Sequence, residues 1–231
     1  MATINLVSNP NAKATAERDL IIGTLEADIA FGLNGNDAIN GSSGHDLLFG
    51  NQGNDNIHGN QDNDTIYGGK GKDSVYGDND HDVLFGNLAE DILNGGSGDD
   101  TLYGGQENDN LTGGTGDDIL SGDKGLDYLV GNDGIDTFVL QPGGGADYIV
   151  DFIDQRDQIG LASGLYFEEI IISTVDKKSI NTIPVAHTKA NDITITIAAT
   201  GEVIGVIKSS VLGVSEDLTP FNFNQSDFTS L

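Results

Sequence analysis

A glycine recurs every nine residues, without exception, from Gly23 to Gly131, and thirteen such nonads run unbroken to residue 139. Five residues after each of these glycines stands an aspartate: Asp28, Asp37, Asp46, Asp55, Asp64, Asp73, Asp82, Asp91, Asp100, Asp109, Asp118, Asp127 and Asp136. Two residues beyond each aspartate comes an apolar side chain, from Ile39, Leu48 and Ile57 to Leu120, Leu129 and Phe138, with Ala30 the one small member. Self-similarity at a short fixed period marks a solenoid, because no unit this small can bury an apolar side chain alone and successive units must stack.

Each nonad reads as a turn of about six residues followed by a strand of about three. Glycine at positions one and four supplies the positive φ angles and close backbone approach of a tight turn. The middle strand residue points inward and its two neighbours outward, so the apolar column is the expected core. Two turn-strand units make one rung. Position four is glycine in eight nonads and Glu26, Asp62, Asp80, Ala89 or Glu107 in the other five, so those five turns are degenerate.

The unit Gly95 to Tyr103, GGSGDDTLY, resembles the calcium-binding nonapeptide G-G-x-G-x-D-x-U-x of the repeats-in-toxin (RTX) proteins. After a two-residue insertion, residues 142–150 (PGGGADYIV) resemble a fourteenth unit with Asp147 in the metal position. The DFIDQRDQIGL that follows resembles the segment closing such rolls. The resemblance implies an all-β fold, a right-handed parallel β-roll (the RTX β-solenoid) with a C-terminal β cap. It also implies Ca²⁺ ions between adjacent turns along each edge, held by the thirteen aspartates named above and by Asp147.

Calcium takes six to eight hard oxygens in a flexible shell, which carboxylates and turn carbonyls can supply. A two-unit rung sorts the aspartates into one stack of Asp28, Asp46, Asp64, Asp82, Asp100, Asp118 and Asp136 and another of Asp37, Asp55, Asp73, Asp91, Asp109 and Asp127. The family arrangement then implies up to about eleven ions, one per gap. Carboxylates about 4.8 Å apart repel by roughly 0.8 kcal/mol at water's dielectric and about 3 at an effective value of 20. Over eleven gaps that rivals the roughly 5 to 15 kcal/mol of stability a domain possesses. The metal-free roll is therefore expected to be unfolded or molten. With dissociation constants of about 10⁻⁴ M, millimolar calcium adds roughly 1.4 kcal/mol per ion, on the order of 15 in all.

The expected organisation is an N-terminal cap over 1–22, a roll over 23–152, and a C-terminal β cap over 153–231. Strand-like runs from Asp147 to Phe152, Phe167 to Thr174, Asp192 to Ala198 and Val203 to Lys208 support the last. INLV and DLII near the N-terminus are expected to cover the other end. The final Asn222 to Leu231 resembles the uncleaved signal through which RTX proteins engage type I secretion machinery, which with the calcium argument implies a secreted or cell-surface bacterial protein. Position nine of alternate units carries Phe31, Phe49, Tyr67, Phe85 and Tyr103, an outward column that either stacks to support the sheet or receives a glycan or protein partner.

Acidic residues number 37 against 10 Lys and Arg, a formal charge of -27, which excludes nucleic acid as a partner and favours cations. There is no cysteine, hence neither a disulfide framework nor a thiolate metal site. No run reaches the length of a transmembrane span, and Met1 to Pro10 lacks the pattern of a cleavable leader. His45, His58, His81 and His187 form no H-E-x-x-H motif and stand beside no nucleophile, so no enzyme is expected. Asp78 to Asp82 imitates the start of an EF-hand but has Val83 where that loop needs glycine, and Gly68 to Lys72 lacks P-loop spacing. The reading is a calcium-binding secreted or cell-surface structural protein that folds on metal outside the cell. The alternatives are an export and folding module of a secreted enzyme or toxin, or a partner-binding rod.

Overall fold

A computed structural model describes residues 2–5, 14–153, 156–162, 165, 170–174, 193–197, 200–201, 203–207 and 228–230. The described residues contain strands and no helix. Two parallel sheets face each other, and the chain alternates between them at every nonad. The first holds β1 (Ala2–Asn5), β2 (Asp19–Ile22), β4 (Ala38–Ser43), β6 (Asn56–Gln61), β8 (Ser74–Asn79), β10 (Ile92–Ser97), β12 (Asn110–Thr115), β14 (Tyr128–Asp133) and β16 (Asp147–Ile149). Its far end is made by β20 (Val203–Ile207), β19 (Ile193–Ile197) and β18 (Ile170–Thr174). The second runs from β3 (Ile29–Asn34) through β5 (Leu47–Gln52), β7 (Thr65–Lys70), β9 (Val83–Leu88), β11 (Thr101–Gln106), β13 (Ile119–Lys124) and β15 (Thr137–Leu140) to β17 (Gln158–Leu161) and β21 (Phe228–Ser230).

Register follows the two-nonad rung: Leu48 pairs with Ile66 and Leu93 with Leu111, each eighteen residues on. The apolar column thereby stacks upon itself between the sheets, and every member from Leu48 to Phe138 has no exposed surface. Full burial of such a side chain is worth about 1.5–3 kcal/mol, so the column is the main apolar source of stability. The repeat strands β3 to β14 are six residues long, not three, because the chain stays extended through position one and pairs again at positions two and three.

The glycines divide their work differently from the sequence expectation. None of the thirteen at position one has positive φ; the left-handed residues stand at positions two and four, such as Asn51 (φ 74°) and Gly53 (φ 130°). Position one needs glycine for space. A Cβ on Gly32 would lie 2.6 Å from the Asp37 carboxylate and 2.7 Å from the Gly50 carbonyl oxygen of the next rung.

At the N-terminal end β2 pairs with β4, and β1 covers β2 in turn, so DLII is a roll strand. At the other end β16 and β17 prolong both sheets in parallel, after which β20, β19 and β18 turn antiparallel and finish the first sheet. This is the C-terminal β cap, and all four expected strand runs have strands within them. Most of the final run, up to residue 227, and His187 lie outside the described residues.

Candidate metal centre

The turn aspartates form two continuous ladders. In each step one carboxylate oxygen, Oδ1, accepts the backbone N–H of the aspartate one rung earlier, as Asp55 does from Asp37 at 2.7 Å and Asp100 from Asp82 at 2.8 Å. The ladder beside the first sheet comprises Asp19, Asp37, Asp55, Asp73, Asp91, Asp109, Asp127 and Asp147. The ladder beside the second comprises Asp28, Asp46, Asp64, Asp82, Asp100, Asp118, Asp136 and Asp157. All fourteen candidates named from the sequence are therefore brought into line. Asp19 and Asp157 complete the ladders and were missed. Asp19 precedes the first glycine of the series, Ala14 standing at its position one, and Asp157 follows an irregular spacing of 21.

The second oxygen behaves differently. In Asp37, Asp46, Asp55, Asp64, Asp73, Asp82, Asp91, Asp100, Asp109, Asp118, Asp127 and Asp136, Oδ2 is buried and accepts no hydrogen bond. Leaving one such charged oxygen bare costs more than a hydrogen bond returns, and twelve in register call for a common partner. At eight of these turns the space in front is the one a position-one Cβ would fill, bounded by the turn's own carboxylate oxygen and a carbonyl oxygen from the next rung; at Gly68 these would lie 2.6 Å (Asp73) and 3.0 Å (Gly86) from that Cβ. Among the described residues no three His, Asp or Glu side chains converge. A cation here must draw on two turns and on their carbonyls, which suits the hard, flexible, all-oxygen shell of Ca²⁺ and not a nitrogen- or sulfur-seeking metal.

Burial is the largest influence on these carboxyls. It pushes Asp82 and Asp109 up to about 8, Asp64, Asp73, Asp91 and Asp118 to about 7, and Asp46, Asp55, Asp100, Asp127 and Asp136 to about 6. The ladder N–H bond pulls the other way, and neighbouring carboxylates add a smaller upward push at most steps. Burial raises Asp37 as well and drives Asp147 well above the usual carboxylate range. Desolvation thus outweighs the mutual repulsion on which the sequence argument rested.

The degenerate turns separate into two kinds. Asp62, Asp80, Ala89 and Glu107 adopt the left-handed backbone in glycine's place, with φ between 70° and 85°, and the oxygens of their turns stay bare. The turn with Glu26 does not. There Thr24 donates its N–H to Asp28 Oδ2 at 2.6 Å, as Thr15 does to Asp19, so the first turn of each ladder closes on its own carboxylate. Asp62 and Asp80 point along the surface and accept the N–H groups of Gly44 and Asp62.

The outward rings Phe31, Phe49, Tyr67, Phe85 and Tyr103 stack at 4.6–5.0 Å with interplanar angles of 4–8°. Each interior ring has both faces against its neighbours, so the column supports the sheet and offers mainly ring edges outward. On the other sheet His58 stacks on Tyr76 and its Nδ1 lies 2.9 Å from Asp78, while His81 Nδ1 accepts the Asp99 N–H at 2.7 Å.

Paired parallel sheets, an unbroken carboxylate ladder on each edge and bare inward oxygens together define a calcium-binding β-roll. The family model for the RTX calcium-binding nonapeptide repeat (4 copies) matches residues 14–48, 49–84, 76–111, 85–118 and 103–138, more than half of the chain. The chain belongs to that family. Among solved structures it is similar to the extracellular lipase LipA from Serratia marcescens, at 16% identity and a TM-score of 0.29, covering 98% of this chain and 42% of the lipase chain. The chain thus spans less than half the length of that protein. No curated protein matches it.

Proposed function

We propose that this chain is a calcium-locked structural rod of a secreted or cell-surface protein, which folds when it meets calcium outside the cell. The twelve buried Oδ2 atoms that accept no hydrogen bond carry the reading. The thirteen repeat aspartates from Asp28 to Asp136, with Asp147, hold the ions together with the turn carbonyls. Bound calcium supplies positive charge that a chain with 10 basic residues against 37 acidic ones cannot. Up to about eleven ions are expected at interior turns, each adding roughly 1.4 kcal/mol at millimolar calcium. At submicromolar calcium that gain vanishes and the desolvated carboxylates disfavour the fold, which keeps the chain extended for passage through an exporter.

The proposed organisation is a cap over 1–22, the roll over 23–152, and a C-terminal cap over 153–231 that carries a type I secretion signal. The repeat region is a structural calcium-binding module, and we assign the chain no reaction. Far-ultraviolet circular dichroism of chelated protein during calcium titration, with ions counted by calorimetry, is the test. Disorder giving way cooperatively to β structure is expected. A metal-free protein with a full β spectrum and a cooperative melt would end the reading.

A further inference from the structure

The two ladders finish differently. Beside the first sheet the last step joins Asp127 to Asp147, both buried, with the Asp127 N–H donating to Asp147 Oδ1 at 3.3 Å. Beside the second sheet the last step joins Asp136 to Asp157, and a guanidinium lies in it. Arg156 Nε donates to Asp157 Oδ1 at 2.9 Å, and Nη2 to the Asn132 carbonyl oxygen at 2.9 Å. The same Nη2 lies 3.4 Å from Asp157 Oδ2 and 3.9 Å from Asp136 Oδ2, the bare oxygen of that turn.

Arg156 therefore touches carboxylates from two consecutive turns and a carbonyl of the earlier turn. Those are the kinds of oxygen that a cation between two turns would collect. The Asp157 carboxylate is further satisfied by the Ile153 N–H at 2.7 Å, the same closure on a residue four positions earlier that Thr15 and Thr24 provide at the opposite end. A fixed, always-charged fork suits such a position, since it meets two acidic groups without needing metal.

We propose that Arg156 is the built-in cation of the last turn beside the second sheet, holding Asp136 and Asp157 together in place of a calcium ion. The proposal rests on the calcium-binding reading. On it, one of the twelve bare oxygens is served by the chain itself, and the calcium series on this edge stops one gap before its carboxylates do.

Native mass spectrometry of the full chain at saturating calcium tests this, with folding of each variant checked by circular dichroism. Arg156→Gln is expected to bind one ion more than the unaltered chain, and an unchanged count overturns the proposal. Asp157→Asn supplies an independent decision should the first variant not fold: the count is expected to stay the same, and loss of an ion means that metal, not Arg156, occupies the gap. Failure of the calcium reading itself looks different, because the unaltered chain would then bind few ions or none.

Discussion

Each interior aspartate divides its two oxygens between two tasks: Oδ1 ties one rung to the preceding one, and Oδ2 faces the proposed metal position. The raised carboxyl values make this division sensitive to pH. An unfolded aspartate titrates near 3.9. With folded values of about 6 to 8, the metal-free roll takes up protons on folding. That contribution to stability is fully present below about pH 4 and is lost as pH rises through 6 to 8. Calcium requires the ionised form, so its affinity runs the opposite way. Calcium titrations followed by circular dichroism at pH 8.5, 7 and 5.5 should show the midpoint moving to higher calcium at each step downward, while metal-free protein gains β signal. A midpoint independent of pH contradicts the raised values.

At the scale of the strand, two columns support each rung: the buried apolar one and, on the second sheet, the stacked rings. Leu102 has no exposed surface and is packed above Leu84 and below Leu120. Leu102→Ala should cost about 2–5 kcal/mol in urea unfolding of the calcium-loaded protein. Tyr67 stacks on Phe49 and Phe85 at 5.0 and 4.6 Å, so Tyr67→Ser should cost about 1–3 kcal/mol from two aromatic contacts. Asn94→Ser, at the same outward position of the first sheet without a ring stack, should stay within about 0.5 kcal/mol. If the two outward substitutions cost the same, the ring column is not a support.

For the whole molecule, the ladders make stability a sum over neighbouring turns, each turn sharing carboxylates with the next. Chelation should therefore abolish the β spectrum across the repeat region as one event. Magnesium should fail to restore it at equal concentration, since that ion dehydrates reluctantly and demands a stricter octahedral shell than two flexible turns and their carbonyls provide. Circular dichroism after chelation and after re-addition of either ion checks both points. Full recovery in magnesium would mean that any divalent charge suffices.

The nonad by itself determined the rung, the inward column, both carboxylate ladders from Asp28 to Asp136 and the kind of ion they suit, because a strict period leaves a stacked coil few ways to place equivalent residues. Asp19 and Asp157 were illegible for the converse reason: the first stands before the glycine series, in a unit led by Ala14, and the second follows an insertion. Only the tertiary structure decided that position-one glycines serve space and not φ, that Glu26 sits in a turn closed on its own aspartate while Ala89 does not, and that Arg156 meets Asp136. The first and last depend on what a neighbouring rung places against a residue, eighteen or more residues away along the chain, and the second on whether a turn's backbone N–H reaches its own carboxylate, which the residue types of the turn do not fix.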